Sequence, residues 1–417
     1  MLPPLALLTD PLLFYEGRWN VSAHSAVADW PCSTLWFAAR AGDGGATLLV
    51  EWSGVRLRIN ASAFPAAPAA APATHSAIWD GFELEPPFGA THRHELPLPA
   101  GDSVVALRKL SSATPYSTGI ATHFFRASRL ELRALRPARG TLELTPWRGR
   151  PSRSVQLIGA SDAAGWCVDG TPATPALSYG AFGWKHSDCD GAAGAELARR
   201  LGAAVSVQAL AGAGLTQNAN ARERWQMGEV TMAGMYTRTL QSDAASFWDM
   251  TSHAPPQLVL ISLGGNDYNH QEGHVPSDEV FQAAYVKLLG EIFRTYRGAA
   301  ANATSQAERR SDGKREGSAR AGGAEFAVVS ICGQGSPEAR LDPDNNRCRP
   351  CPHVEQSVQA FRKANPGLHA EYIFVPCDGS VVTGEGDIGC NGHKNRRGQN
   401  EVADFLEPRL RKLMGWD

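Results

Sequence analysis

The sequence predicts an all-β sandwich or jelly roll over residues 1–147, followed by an α/β domain over residues 154–417. Short alternating segments fill the first third of the chain, and a Pro- and Arg-containing linker, TPWRGRPSR, follows them. Beyond the linker, strand-like and helical patterns alternate, which is typical of a mostly parallel sheet covered by helices on both faces. A length of 417 residues also favours two domains over one core.

The first third of the chain contains short segments that alternate apolar and polar residues or are rich in strand formers. Clusters of Gly, Pro and Asp separate them, and no segment has a convincing helical period. Regularly spaced short strands of this kind predict a sandwich or jelly roll. The clearest of these segments are 33–40, 45–52, 55–62, 103–110 and 129–136.

In the second part, apolar strand-like runs alternate with helical patterns. The clearest helix follows Pro276 and Ser277, and its apolar residues recur at i, i+3, i+4 and i+7 from Phe281 to Tyr296. Residues 298–323 hold almost no large apolar side chain and predict a disordered insertion. The expected strands are 155–158, 205–210, 258–263, 326–331 and 372–375, with further helices near 194–201, 354–363 and 402–413.

The composition excludes several classes of protein. Hydrophobic residues make up 43% of the chain, charged residues 20%, and the net charge is -2. These values describe a globular protein and favour neither nucleic acid nor an anionic membrane as a partner. No apolar run approaches the roughly 20 residues of a membrane helix, so we expect no membrane insertion. The sequence does not predict an oligomeric state.

Eight cysteines and three Asn-X-Ser/Thr triplets, at Asn20, Asn60 and Asn302, predict a secreted protein with disulfides. The first 13 residues, MLPPLALLTDPLL, lack a basic region and make a poor signal peptide. The loops suggest bridges Cys377–Cys390 and Cys167–Cys189, although spacing does not determine connectivity. Cys348 and Cys351 form a single C-x-x-C without a second pair, so we expect no zinc or other metal, and no cofactor.

Four stretches with polar or glycine residues follow strands of the predicted parallel sheet. Ser161 follows the first strand, Gly212 the second, Asn266 the third and His393 the fifth. Since ligands of such sheets bind at the carboxyl edge, we expect these residues to meet there.

Acyl transfer needs a hydroxyl nucleophile, an imidazole that takes its proton, and donors for the tetrahedral oxyanion. Ser161 and His393 are candidates for the first two roles, and Ser161, Gly212 and Asn266 for the oxyanion hole. Glycine suits position 212 because the backbone approaches the substrate without a Cβ in the way. Taken singly, each stretch is also compatible with an ordinary turn or a solvated histidine.

The blocks GAS, LGGND and GCNGHKN resemble those of SGNH (GDSL-type) hydrolases. With the early segment YEGRW, the chain more closely resembles the two-domain carbohydrate acetyl esterases of family two. The resemblance implies a flavodoxin-like sheet after a jelly roll, and a serine esterase that removes O-acetyl groups from carbohydrate. It assigns the nucleophile to Ser161, the base to His393, and oxyanion donors to Gly212 and Asn266.

The chain departs from that pattern at two positions. Ala160 replaces the aspartate of the first block, and Asn391 replaces the aspartate two residues before the histidine. An amide at 391 would support the imidazolium less well, and Asp387 or a main-chain carbonyl is an alternative acceptor. The alternative function is a carbohydrate-binding or scaffold protein with impaired SGNH chemistry.

Overall fold

The computed structural model describes most of the chain. The described residues are 5–54, 57–63, 75–79, 90–111, 129–147, 149–174, 186–219, 230–250, 253–268, 275–310, 324–333 and 348–416.

The amino-terminal part is a sandwich of two antiparallel sheets. One sheet has the order β1-β4-β9-β6-β7 with β11 beside β4, and the other has the order β2-β3-β10-β5-β8. Alternate residues of both sheets, such as Leu35 and Phe37 of β4 and Leu48 and Val50 of β5, point into a shared core. The strands are β1 (Phe14–Glu16), β2 (Asn20–Val21), β3 (Ala26–Ala28), β4 (Thr34–Ala41), β5 (Ala46–Ser53), β6 (Leu57–Ala63), β7 (His75–Trp79), β8 (His92–Leu98), β9 (Gly101–Lys109), β10 (Leu130–Arg139) and β11 (Leu142–Thr145).

The remaining five strands form one parallel sheet in the order β13-β12-β14-β15-β16. The first of them lies between the second and the third, which is the flavodoxin-like arrangement. Their near-continuous apolar runs fit strands that are buried on both faces. The strands are β12 (Arg153–Gly159), β13 (Ala203–Ala209), β14 (Leu258–Ser262), β15 (Ala327–Gly333) and β16 (Ala370–Val375).

Helices cover both faces of the parallel sheet, so the predicted fold class is confirmed. Helices α1 and α5 pack on one face through Leu197 and Leu406, and α3 and α4 pack on the other through Tyr285 and Val358. The helices are α1 (Ala193–Arg200), α2 (Met232–Met235), α3 (Asp278–Arg310), α4 (Cys351–Ala364) and α5 (Arg396–Met414).

Helix α3 departs from expectation at its carboxyl end. The apolar face from Phe281 to Tyr296 is buried as predicted, but the helix continues to Arg310. Residues 298–310 of the predicted disordered insertion are therefore helical, because an alanine-rich segment keeps high helix propensity without large side chains. Residues 311–323 lie outside the described part of the chain. Within that part, no helix is long and apolar enough to cross a membrane.

Candidate active site

The first loop at the carboxyl edge of the sheet carries Ser161. Strand β12 ends at Gly159, and hydrogen bonds from Ala164 N to Ala160 O and from Trp166 N to Ser161 O, each 2.9 Å, close a tight turn. A Cβ at position 159 would lie 2.5 Å from the Cβ of Ala163, so only glycine lets the turn fold back over the strand. The half-buried serine therefore stands at the switch point between β12 and β14.

The loop after β16 brings His393 to the same place. Its Nε2 lies 2.7 Å from Ser161 Oγ, across 232 residues of sequence. Gly389 N donates to His393 O at 2.6 Å, and Lys394 forms an antiparallel bridge with Ile388. Immediately afterwards, the Asn395 side chain accepts from Gly398 N at 3.1 Å and caps α5. The histidine is thus held between a short backbone ladder and a capped helix.

Gly212 and Asn266 also meet at this edge. Gly212 follows β13 and has φ +81, a conformation that favours glycine. Asn266 lies in the single turn after β14, and its Nδ2 donates to Ala213 O at 2.8 Å. The amide side chain therefore lies against the loop that presents Gly212.

Asp267, the last residue of the LGGND block, contributes a further element to which the sequence assigned no role. Its buried carboxylate accepts from Thr216 N and Oγ1, both at 2.6 Å, and from Leu215 N at 2.8 Å. Burial raises the pKa of this carboxyl above its usual value, and the hydrogen bonds from Thr216 and Leu215 oppose that shift. Asp267 therefore holds the loop after Gly212 in place. The sequence feature that could have identified this residue is its position directly after Asn266.

Asp387 has partners other than the one predicted. Its Oδ2 accepts from Thr383 N at 2.7 Å and Thr383 Oγ1 at 2.9 Å, and its Oδ1 lies 2.6 Å from Arg397 Nε. These contacts engage both oxygens of a fully buried carboxylate. Asp387 therefore braces the loop that carries His393. The side chain of Asn391 lies outside the described part of the structure.

All eight cysteines form disulfides, but the two bridges suggested by loop position, Cys377–Cys390 and Cys167–Cys189, are not among them. Both suggestions are wrong. Cys167 instead joins Cys390, with 5.1 Å between the Cα atoms, because the loop after β16 returns along the carboxyl edge of the sheet to the loop after β12. Cys348 and Cys351 belong to separate disulfides, so neither is a free thiolate. The other three bridges are Cys32–Cys189, Cys332–Cys351 and Cys348–Cys377.

The arrangement combines a serine hydroxyl, an imidazole within hydrogen-bond distance, and an amide side chain beside a glycine loop. Such a set supports nucleophilic attack on an acyl carbonyl. The described residues contain no group of His, Cys, Asp and Glu side chains that would hold a metal ion.

Comparison of the sequence with protein-family models and with curated proteins finds no match. Solved structures, in contrast, match over nearly the full length. A family two carbohydrate esterase from Clostridium thermocellum, in complex with cellohexaose, superposes with a TM-score of 0.69 at 17% identity, covering 97% of this chain and 100% of that one.

Two further solved structures show the same similarity. A family 2 enzyme with a carbohydrate-binding domain from Corynascus thermopiles (Myceliophthora fergusii) has a TM-score of 0.68 at 20% identity, covering 97% of this chain and 100% of that one. The acetyl xylan esterase Est2A from the rumen bacterium Butyrivibrio proteoclasticus has a TM-score of 0.66 at 11% identity, covering 100% and 99%. This chain therefore has the two-domain fold of the family two carbohydrate esterases.

Proposed function

We propose that the protein is a serine esterase that removes O-acetyl groups from carbohydrate. The observation that carries this proposal is the 2.7 Å contact between Ser161 Oγ and His393 Nε2 at the switch point of the sheet. Carbohydrate as the substrate class is supported by the shared fold, since one of the similar esterases was solved with cellohexaose. We further propose residues 1–147 and 154–417 as the two domains.

In the proposed reaction, Ser161 Oγ attacks the acetyl carbonyl while His393 Nε2 takes the hydroxyl proton. The Ser161 and Gly212 amides and Asn266 Nδ2 donate to the tetrahedral oxyanion. His393 then returns the proton to the leaving sugar oxygen, and water hydrolyses the acetyl-serine by the same steps. Asn391, two residues before the base, would support the imidazolium less well than a carboxylate, so we expect a modest turnover.

We also propose that the protein is secreted. Disulfides persist in oxidising compartments, and all eight cysteines pair. Asn20, the first residue of an Asn-Val-Ser triplet, is exposed, as an acceptor of N-linked glycan must be.

Turnover of an aryl acetate by the wild type and by Ser161→Ala tests the proposal. We expect the variant to lose at least about 10³-fold in kcat, because the acyl-enzyme cannot form. Its thermal unfolding temperature serves as the folding control. Equal hydrolysis by both proteins would overturn the esterase proposal and favour a carbohydrate-binding protein. Binding measurements with acetylated and deacetylated xylan would then test that alternative.

A further inference from the structure

An ion pair lies one residue beyond each member of the proposed Ser–His dyad. Asp162 directly follows Ser161, Lys394 directly follows His393, and Lys394 Nζ lies 2.8 Å from Asp162 Oδ2. The lysine side chain is completely buried, and that of Asp162 is 21% exposed. The pair therefore spans the same gap between two loops as the contact from His393 to Ser161.

Both ends of this pair are held by the surrounding structure. Lys394 lies in the antiparallel bridge with Ile388, which fixes the direction of its side chain. Gln399, on α5, donates from Nε2 to the carbonyl of Asp162 at 3.3 Å and accepts from Ala193 N at 3.0 Å. The ion pair therefore joins two anchored segments and is not a contact between mobile surface side chains.

Net stability is a poor explanation for such a pair. Removing an ammonium and a carboxylate from water is costly, and their mutual attraction offsets that cost only in good geometry. A buried ion pair does, however, fix the distance between the two backbone segments that carry its side chains. Here those backbones are the ones that carry the nucleophile and the base.

The same two loops carry the nucleophile and the base, and His393 Nε2 lies 2.7 Å from Ser161 Oγ. We propose that Asp162 and Lys394 are positioning residues, whose ion pair holds the nucleophile turn against the base loop at the distance that proton transfer requires. This inference rests on the proposed esterase function.

The test compares Lys394→Met, Asp162→Asn and the double variant with the wild type. The kcat and KM for hydrolysis of an aryl acetate are measured at a temperature well below the unfolding temperature of each protein. We expect each single variant to lose about 10- to 100-fold in kcat, because small misplacements of reacting groups have effects of that size. We expect KM to change by less than about twofold, since neither side chain is proposed to touch substrate. The double variant should lose about as much as one single variant, because the pair acts as a unit.

Arg200→Met is the matched control. Arg200, on α1, is 23% exposed; it pairs with Glu196 of the same helix and with Glu407 on α5, well past His393 in the sequence. Its loss should lower the unfolding temperature and leave kcat unchanged, which separates alignment of the dyad from general stability.

Three results would overturn the positioning proposal: kcat within twofold of the wild type in Lys394→Met, a change in KM alone, or multiplicative losses in the double variant. If Lys394→Met does not fold, Asp162→Asn and the double variant are judged by the same criteria. Failure of the esterase function is distinguishable, because Ser161→Ala would then hydrolyse the ester as fast as the wild type.

Discussion

Among single residues, Asn266 allows the sharpest test of the proposed oxyanion hole. Its Nδ2 donates to Ala213 O beside Gly212, so one of its two N–H bonds remains to stabilise negative charge at this edge. We expect Asn266→Ala to lower kcat by about 10²- to 10³-fold with little change in KM, as measured with an aryl acetate. Asn218→Ala, in the loop after β13 that carries Gly212, is the control for loop disturbance, since Asn218 Oδ1 accepts from Gly214 N. Equal losses in both variants would contradict a direct role for Asn266.

At the scale of elements, the Cys167–Cys390 disulfide joins the turn after the nucleophile to the turn before the base. Trp166 and Ala211 pack around it, so the bridge also lies against the loop of Gly212. We expect Cys167→Ala/Cys390→Ala to lower the free energy of unfolding by about 2–4 kcal/mol. We also expect kcat to fall about 10-fold or more, because the two loops lose a covalent constraint on their separation.

The control for this disulfide is Cys332→Ala/Cys351→Ala, which removes the bridge between the end of β15 and the start of α4. This variant should lose stability and keep kcat, as followed by urea unfolding and ester hydrolysis. If both double variants lose the same fraction of kcat, the Cys167–Cys390 bridge has no special role at the site.

At the scale of the whole molecule, the sandwich is joined to the α/β part by charged and covalent contacts. Cys32 bonds to Cys189, and the two aspartates that flank Cys189 pair with arginines of the sandwich. Asp188 pairs with Arg58, and Asp190 pairs with both Arg58 and Arg108. Asp188 also pairs with Arg396, three residues after His393. The sandwich therefore reaches the segment that carries the base through a chain of ion pairs.

The same interface contains Lys109, whose side chain is fully buried. Burial lowers the pKa of its ammonium to about 7, and the nearby Asp29 only partly opposes this shift. Between pH 7 and the ordinary lysine pKa of 10.5, the unfolded chain binds a proton that the folded protein does not. The free energy of unfolding should therefore rise with pH in this range, by up to about 1 kcal/mol per unit, and fall again as the pH returns to 7.

Urea unfolding of the wild type and of Lys109→Met at pH 7, 8 and 9 measures this dependence. Methionine keeps the length of the side chain and removes the titrating group, so the variant should lose this part of the slope. Identical slopes in the two proteins would show that Lys109 does not titrate in this window.

Local patterns in the sequence were enough to predict the fold class and the four loops of the candidate site. Apolar periodicity and turn residues are local signals, so they located the strands that precede Ser161, Gly212, Asn266 and His393. The parallel order then places the carboxyl ends of those strands at one edge. Residues 298–310 are an exception: the lack of large apolar side chains predicts disorder, but high helix propensity lets the segment continue α3.

Which side chains of those loops are partners could not be predicted from the sequence. Cys167 forms a disulfide with Cys390, 223 residues away. Asp387 accepts a hydrogen bond from Thr383 and pairs with Arg397, and Lys394 forms an ion pair with Asp162. Several cysteines and several charged residues of the chain are candidate partners for these side chains, and sequence separation does not identify the right one. The choice among them depends on how two loops lie against each other at the sheet edge, and that geometry arises from packing of the whole domain, which leaves no local pattern in the sequence.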